Sequence, residues 1–151
     1  MDECDLLGSV FSDALIEVIL TCTGVSLNVL SREPDAGFEH MLAAMNLNGK
    51  KSEMLFISSK KSDMRLLCSK MIGALPEEVA EDEIKDILGE FVNMTAGNAK
   101  LRLSDTDYAF TLSPPFMIEG EKMSLSVKRN THVSSTLIGN DRITVKLKLL
   151  Y

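Results

Sequence analysis

From Val10 to Cys22 the apolar residues Phe11, Ala14, Leu15, Val18, Ile19 and Cys22 recur at helical spacing, and Gly24 follows as a stop signal. Val25 to Leu30 is a short apolar run suited to a strand. Glu39 to Leu47 and Glu53 to Ser58 flank Asn48-Gly49, which predicts a hairpin whose two central residues both take positive φ. Ser59 to Ile72 places Met64, Leu67, Cys68 and Met71 at helical spacing, with Gly73 closing the run. Pro76 and the acids Glu77-Glu78 predict the start of a long helix from about Glu78 to Gly97. Lys100 to Leu103, Tyr108 to Leu112 and Phe116 to Ile118 read as short strands around Pro114-Pro115, and Met123 to Val127 as a further one. After His132 to Ile138 and a Gly139-Asn140-Asp141 turn, the chain ends in a strand. There Ile143, Val145, Leu147 and Leu149 alternate with Thr144, Lys146 and Lys148, the pattern of an antiparallel sheet buried on one face.

The pattern repeats. Sliding the first helix onto the third by 73 positions pairs Asp13 with Asp86, Leu15 with Leu88, Glu17 with Glu90 and Gly24 with Gly97. We read this as an internal duplication. At about 100° per residue, Asp86, Glu90, Asn93 and Gly97 share one narrow arc of the third helix, opposite Ile84, Ile87, Leu88, Phe91 and Thr95. The apolar stripe should face a sheet and leave the acid–amide stripe in solvent. Spacing alone fits a solvated face with an i,i+3 polar pair. Gly89 and Gly97, each costing about 1 kcal/mol relative to Ala within a helix, leave a surface that another backbone can approach. Together with the duplicated frame they favour a functional surface. In the first helix the amide position holds Leu20, so the copy lacks its polar end.

Composition adds bounds. With 151 residues the expectation is one domain, residues 1–151. A net charge of −6 argues against a nucleic-acid partner, and Lys50-Lys51, Lys60-Lys61, Lys146 and Lys148 fall at turn or strand-surface positions. Cys4, Cys22 and Cys68 have no metal or redox spacing, and the last two sit at apolar helical positions. The acidic start Met-Asp-Glu-Cys-Asp is unlike a signal peptide, and no apolar run is expected to span a membrane. A reduced, cytoplasmic protein is the expectation.

The residues Gly89-Glu-Phe-Val-Asn-Met-Thr-Ala-Gly-Asn-Ala99 resemble the signature of the CheX-like branch of the CheC/CheX/FliY phosphatases. That motif is Asp or Ser, three residues, Glu, two residues, Asn, then about twenty-two residues to a Pro. Asp86, Glu90 and Asn93 match in place, and Pro115 comes after twenty-one intervening residues, one short. CheC-like members keep two such helices and CheX-like members one, and Leu20 puts this chain with the latter. The resemblance implies an α+β fold with helices on one face of an antiparallel sheet and two pseudo-symmetric halves. It implies a phosphatase for the aspartyl phosphate of a CheY-like response regulator, in chemotaxis or another two-component pathway. Glu90 and Asn93 would be catalytic, Asn93 orienting the hydrolytic water and Glu90 binding the regulator's Lys. Asp86, Gly89 and Gly97 would contact the partner. The protein would carry no cofactor of its own, the Mg²⁺ belonging to the regulator, and would form a homodimer.

The alternative is a non-catalytic module that docks a regulator or flagellar component, or that only dimerises. Other chemistry is sparse. His40 and His132 lie far apart and suggest no metal, Asp105-Thr-Asp107 resembles a fragment of a calcium loop but lacks the rest of it, and neither a Gly-x-Ser-x-Gly frame nor a phosphate loop occurs. The many methionines, Met41, Met45, Met54, Met64, Met71 and Met94 among them, are expected to fill core gaps.

Overall fold

The computed structural model describes residues 2–32, 37–50, 52–124, 132–139 and 142–151. Helix α1 spans Glu3–Thr23, seven residues earlier than its apolar stripe suggests, because the Asp2 carboxylate caps it by accepting from Asp5 N–H at 2.8 Å. Strand β1 (Leu27–Ser31) leads to the hairpin β2 (Met41–Gly49) and β3 (Ser52–Ser59). Helix α2 (Lys61–Ile72), a 3-10 turn at Pro76–Glu78 and helix α3 (Glu81–Leu103) follow, then β4 (Phe110–Leu112), β5 (Phe116–Glu119), β6 (His132–Gly139) and β7 (Thr144–Leu150).

The strands form one sheet in the order β1-β6-β7-β3-β2-β4, with β5 pairing the other end of β2, and every pairing is antiparallel. The duplication is visible in this order. Outward from the central β7–β3 pair lie β6 and β2, then β1 and the β4/β5 segment. Each helix of the repeat is followed by its outer strand and its hairpin. The α+β architecture with helices on one face is the one the sequence implied.

The main core lies between that face and the helices. Ala43, Met45 and Leu47 of β2, Leu55 and Ile57 of β3, and Val145, Leu147 and Leu149 of β7 meet Leu7, Phe11, Leu15 and Ile19 of α1 and the stripe of α3. Met41, Met45 and Met64 are fully buried there, and Met54, Met71 and Met94 are partly buried. The ring of Phe11 stacks on Phe110 at 6.0 Å, and Ser12 donates to Ser135 at 3.0 Å, so α1 touches both halves of the sheet. Among the described residues the opposite face holds a smaller buried cluster, Leu42, Ala44, Phe56 and Leu150, with Phe38 packed against it. By length and composition α1 could cross a bilayer, against the sequence expectation; in this fold its apolar side belongs to the core.

Three local readings are corrected. Asn48 and Gly49 are strand residues, and neither has positive φ. They pair with Thr111 and Phe110 of β4, and Asn48 also pairs with Ser52 of β3, so strand pairing runs through both positions. Glycine is needed at 49 for closeness, since a Cβ there would stand 2.4 Å from the Ala109 carbonyl oxygen. Lys100 to Leu103 are not a strand but the end of α3, which passes through Gly97 because Ala99 and Leu103 continue its buried stripe. At its start α3 is delayed to Glu81 by the 3-10 turn, whose Pro76 and Val79 carbonyls accept from Arg65. Residues 125–127 and the Asn140-Asp141 turn lie outside the described residues, and Met123 is not in a strand.

Two stability outcomes follow from this packing. Gly49→Ala should lower stability by about 1–3 kcal/mol, because the β4 backbone must move; a urea midpoint equal to wild type would show that the sheet edge yields freely. Thr95 is fully buried and its hydroxyl has no hydrogen-bond partner among the described residues. Thr95→Val should therefore raise stability by about 1 kcal/mol in the same titration, and a loss would mean that the hydroxyl is bonded in solution.

Candidate docking helix and its relic copy

Helix α3 is built to hold one face still and present the other. Glu81, Asp82 and Glu83 stand in its first turn and Lys100 and Arg102 in its last, matching the helix dipole. Ile84, Ile87, Leu88, Phe91, Val92, Thr95, Ala96, Ala99 and Leu103 are buried. Lys61 holds Glu81 at 2.6 Å, and Lys85 meets Glu119 of β5 at 3.5 Å, tying the N-terminal half to α2 and β5.

On the other side, Asp86, Glu90 and Asn93 are all exposed, spread over about 10 Å of helix axis. Among the described residues their side chains make no hydrogen bond or ion pair, so they stand as uncommitted polar groups on a rigid support. Gly89 is half-buried. A Cβ there would lie 3.7 Å from Met117 Sδ and 4.0 Å from Pro115 Cγ, so its flank is met by the chain's own β5 entry, and Pro115 is brought beside the residue preceding Glu90. Gly97 has open space around its missing side chain.

The neighbouring helix runs antiparallel to α3, since Cys22 of α1 lies against Met94 (Sγ–Sδ 3.9 Å) whereas Glu17 reaches Asn98 and Arg102. Burial, and then the negative charge of Glu90, push the Cys22 thiol pKa above its ordinary value. The relic positions are exposed too, Leu20 at 47%. Glu17 differs from Glu90. Hydrogen bonds from Asn98 and Arg102 hold its carboxyl below the usual range. The i,i+4 spacing of Asn98 and Arg102 is visible in the sequence, but their partner on another helix is not.

Among the described residues no group of three or more His, Cys, Asp or Glu is placed to hold a metal ion. His40 is exposed. Cys4 contacts the Tyr151 hydroxyl at 2.7 Å, and Cys68 is buried in the core.

A family model described as "Chemotaxis phosphatase CheX" matches residues 41–138. No curated protein sequence matches the chain. Among solved structures, a CheC-like superfamily protein from Shewanella sp. PV-4 superposes with a TM-score of 0.84 at 21% identity, over 99% of this chain and 98% of that one. The chemotaxis protein CheX from Desulfovibrio desulfuricans gives 0.81 at 20% identity, over 96% and 99%. A chain from the CheX–CheY–BeF3–Mg²⁺ complex of Borrelia burgdorferi gives 0.78 at 18% identity, over 94% and 95%. A fold held across nearly the whole chain and a family match over more than half of it agree: this chain belongs to the CheX family of chemotaxis phosphatases.

Proposed function

We propose that this protein hydrolyses the aspartyl phosphate of a CheY-like response regulator and that α3 is its docking element. The observation that carries this reading is the uncommitted Glu90–Asn93 pair, exposed on a helix whose other side is locked into the core. The Borrelia relative's complex with CheY supports the class of partner. A response-regulator substrate implies a cytoplasmic protein.

The chemistry asks little of this chain. Water oxygen attacks phosphorus, the bond from phosphorus to the aspartyl oxygen breaks, and inorganic phosphate leaves with the electron pair returned to the Asp carboxylate. The regulator brings the phosphoryl group, Mg²⁺ and a Lys, so positioning is the main contribution left to supply. The Asn93 amide accepts from the water through its oxygen and so holds it in line. It cannot take the proton near neutral pH, which therefore passes to phosphate or solvent. Glu90, one helical turn earlier, pairs with the regulator's Lys and fixes the register of α3 in the cleft. Asp86, Gly89 and Gly97 extend the same contact face, with Met117 and Pro115 close to the flank of Gly89. The homodimer of this reading would form at a sheet edge; β1 is one such edge, with Val29 and Leu30 exposed at 38% and 64%.

The decisive assay is decay of phosphorylated receivers from the same genome. Wild type should accelerate it, and no acceleration with any of them removes the proposal. Asn93→Ala should cut the acceleration by at least about a hundredfold, the scale of losing one positioned polar group, while receiver binding persists. Equal loss of binding would make Asn93 a docking residue instead. Gly97→Ala separates stability from contact. With open space around it, the new methyl should add about 1 kcal/mol of helix stability and raise Tm. Turnover should fall because the receiver's approach is blocked, and unchanged turnover would take Gly97 out of the docking face.

A further inference from the structure

Gly24 and Gly97 coincide under the repeat, yet the chain treats them in opposite ways. Gly24 takes φ 78°, α1 stops at Thr23, and the chain turns into β1. Gly97 stays helical and α3 continues to Leu103, about two further turns. That extension has no counterpart on α1, and it carries Asn98 and Arg102. Asn98 Nδ2 donates to Glu17 Oε2 at 3.0 Å, Arg102 Nη2 donates to the same oxygen at 2.7 Å, and Arg102 Nε donates to Asn98 Oδ1 at 2.7 Å. Glu17 and Glu90 thus hold the same place in the duplicated frame, one bound by a guanidinium of its own chain and the other uncommitted.

We propose that the C-terminal extension of α3 is an intramolecular plug: Asn98 and Arg102 occupy Glu17 as a partner's cation would occupy Glu90, so the receiver is directed to α3 alone. This rests on the docking role proposed for Glu90. Loss of the amide at Leu20 would by itself leave α1 able to bind a receiver without hydrolysing its phosphate, a non-productive competitor beside the working face. The plug removes that competitor. Arg suits the task because its planar fork binds a carboxylate and an amide oxygen together and keeps its charge at any physiological pH. Asn98 completes the match by bonding both members of the pair.

The test uses the full chain and a CheY-like receiver held active by beryllofluoride and Mg²⁺, with affinity read by calorimetric titration. Glu90→Arg should weaken binding at least about tenfold by meeting the receiver's Lys with like charge. Adding Asn98→Ala and Arg102→Ala should recover at least about tenfold of that loss by uncovering Glu17, and Glu17→Gln on top should remove the recovery. All substituted side chains are on the helix surface, and an unchanged helical circular dichroism signal checks the fold. If the uncovered variant binds no better than Glu90→Arg alone, the plug is overturned. If the recovery survives Glu17→Gln, Glu17 is not the acid being masked and the proposal also fails. If Glu90→Arg binds as wild type does, the docking role of Glu90 is wrong and the plug falls with it.

Discussion

Burial of the α3 stripe between α1 and the β2–β5 side of the sheet is the constraint on which the rest depends. Ile84, Leu88, Phe91, Val92 and Ala96 are essentially without solvent contact, and each large apolar side chain so buried contributes about 1.5–3 kcal/mol. That burial fixes the rotation of the helix about its axis. Once it is fixed, Asp86, Glu90 and Asn93 are turned outward and, among the described residues, meet no hydrogen-bond or ion-pair partner. The orientation of that acid–amide face is therefore set by apolar packing, not by polar contacts on the face itself.

The pseudo-two-fold arrangement explains why such a helix has a partner of its own kind. Two copies of a helix, outer strand and hairpin interleave so that each outer strand pairs with the other copy's hairpin. The two helices then meet antiparallel across the axis, each covering part of the other's apolar flank. This architecture demands that both stripes stay apolar and makes no demand on the exposed faces. The faces are therefore free to diverge, and they have: one keeps an acid and an amide, and the other has Leu20 and an acid engaged by its neighbour.

Much of this was legible along the chain. The alternation of Val145, Leu147 and Leu149, the helical spacing from Phe11 to Ile19, and the shared frame of Asp13 with Asp86 and Glu17 with Glu90 all report periodic burial, which a linear pattern records directly. Gly49 was misread because a glycine required by the nearby Ala109 carbonyl and a glycine required by positive φ look alike in sequence. The residues after Gly97 were misread for a related reason: a lone glycine weakens a helix by about 1 kcal/mol, and burial of Ala99 and Leu103 outweighs that. Pro115 was tied to the motif by counting, and only the fold shows that its ring stands near the flank of Gly89.

The sequence alone determined the helical and strand periods, the duplicated frame and the face on which Glu90 and Asn93 stand, because these depend on which residues recur at 3.6 and 2. Tertiary structure decided what each exposed acid meets. Glu17 and Glu90 are the same residue in the same frame, and nothing local separates them. They differ because one helix turns away at Gly24 and the other runs on to Arg102, an outcome set by packing between segments far apart in the chain.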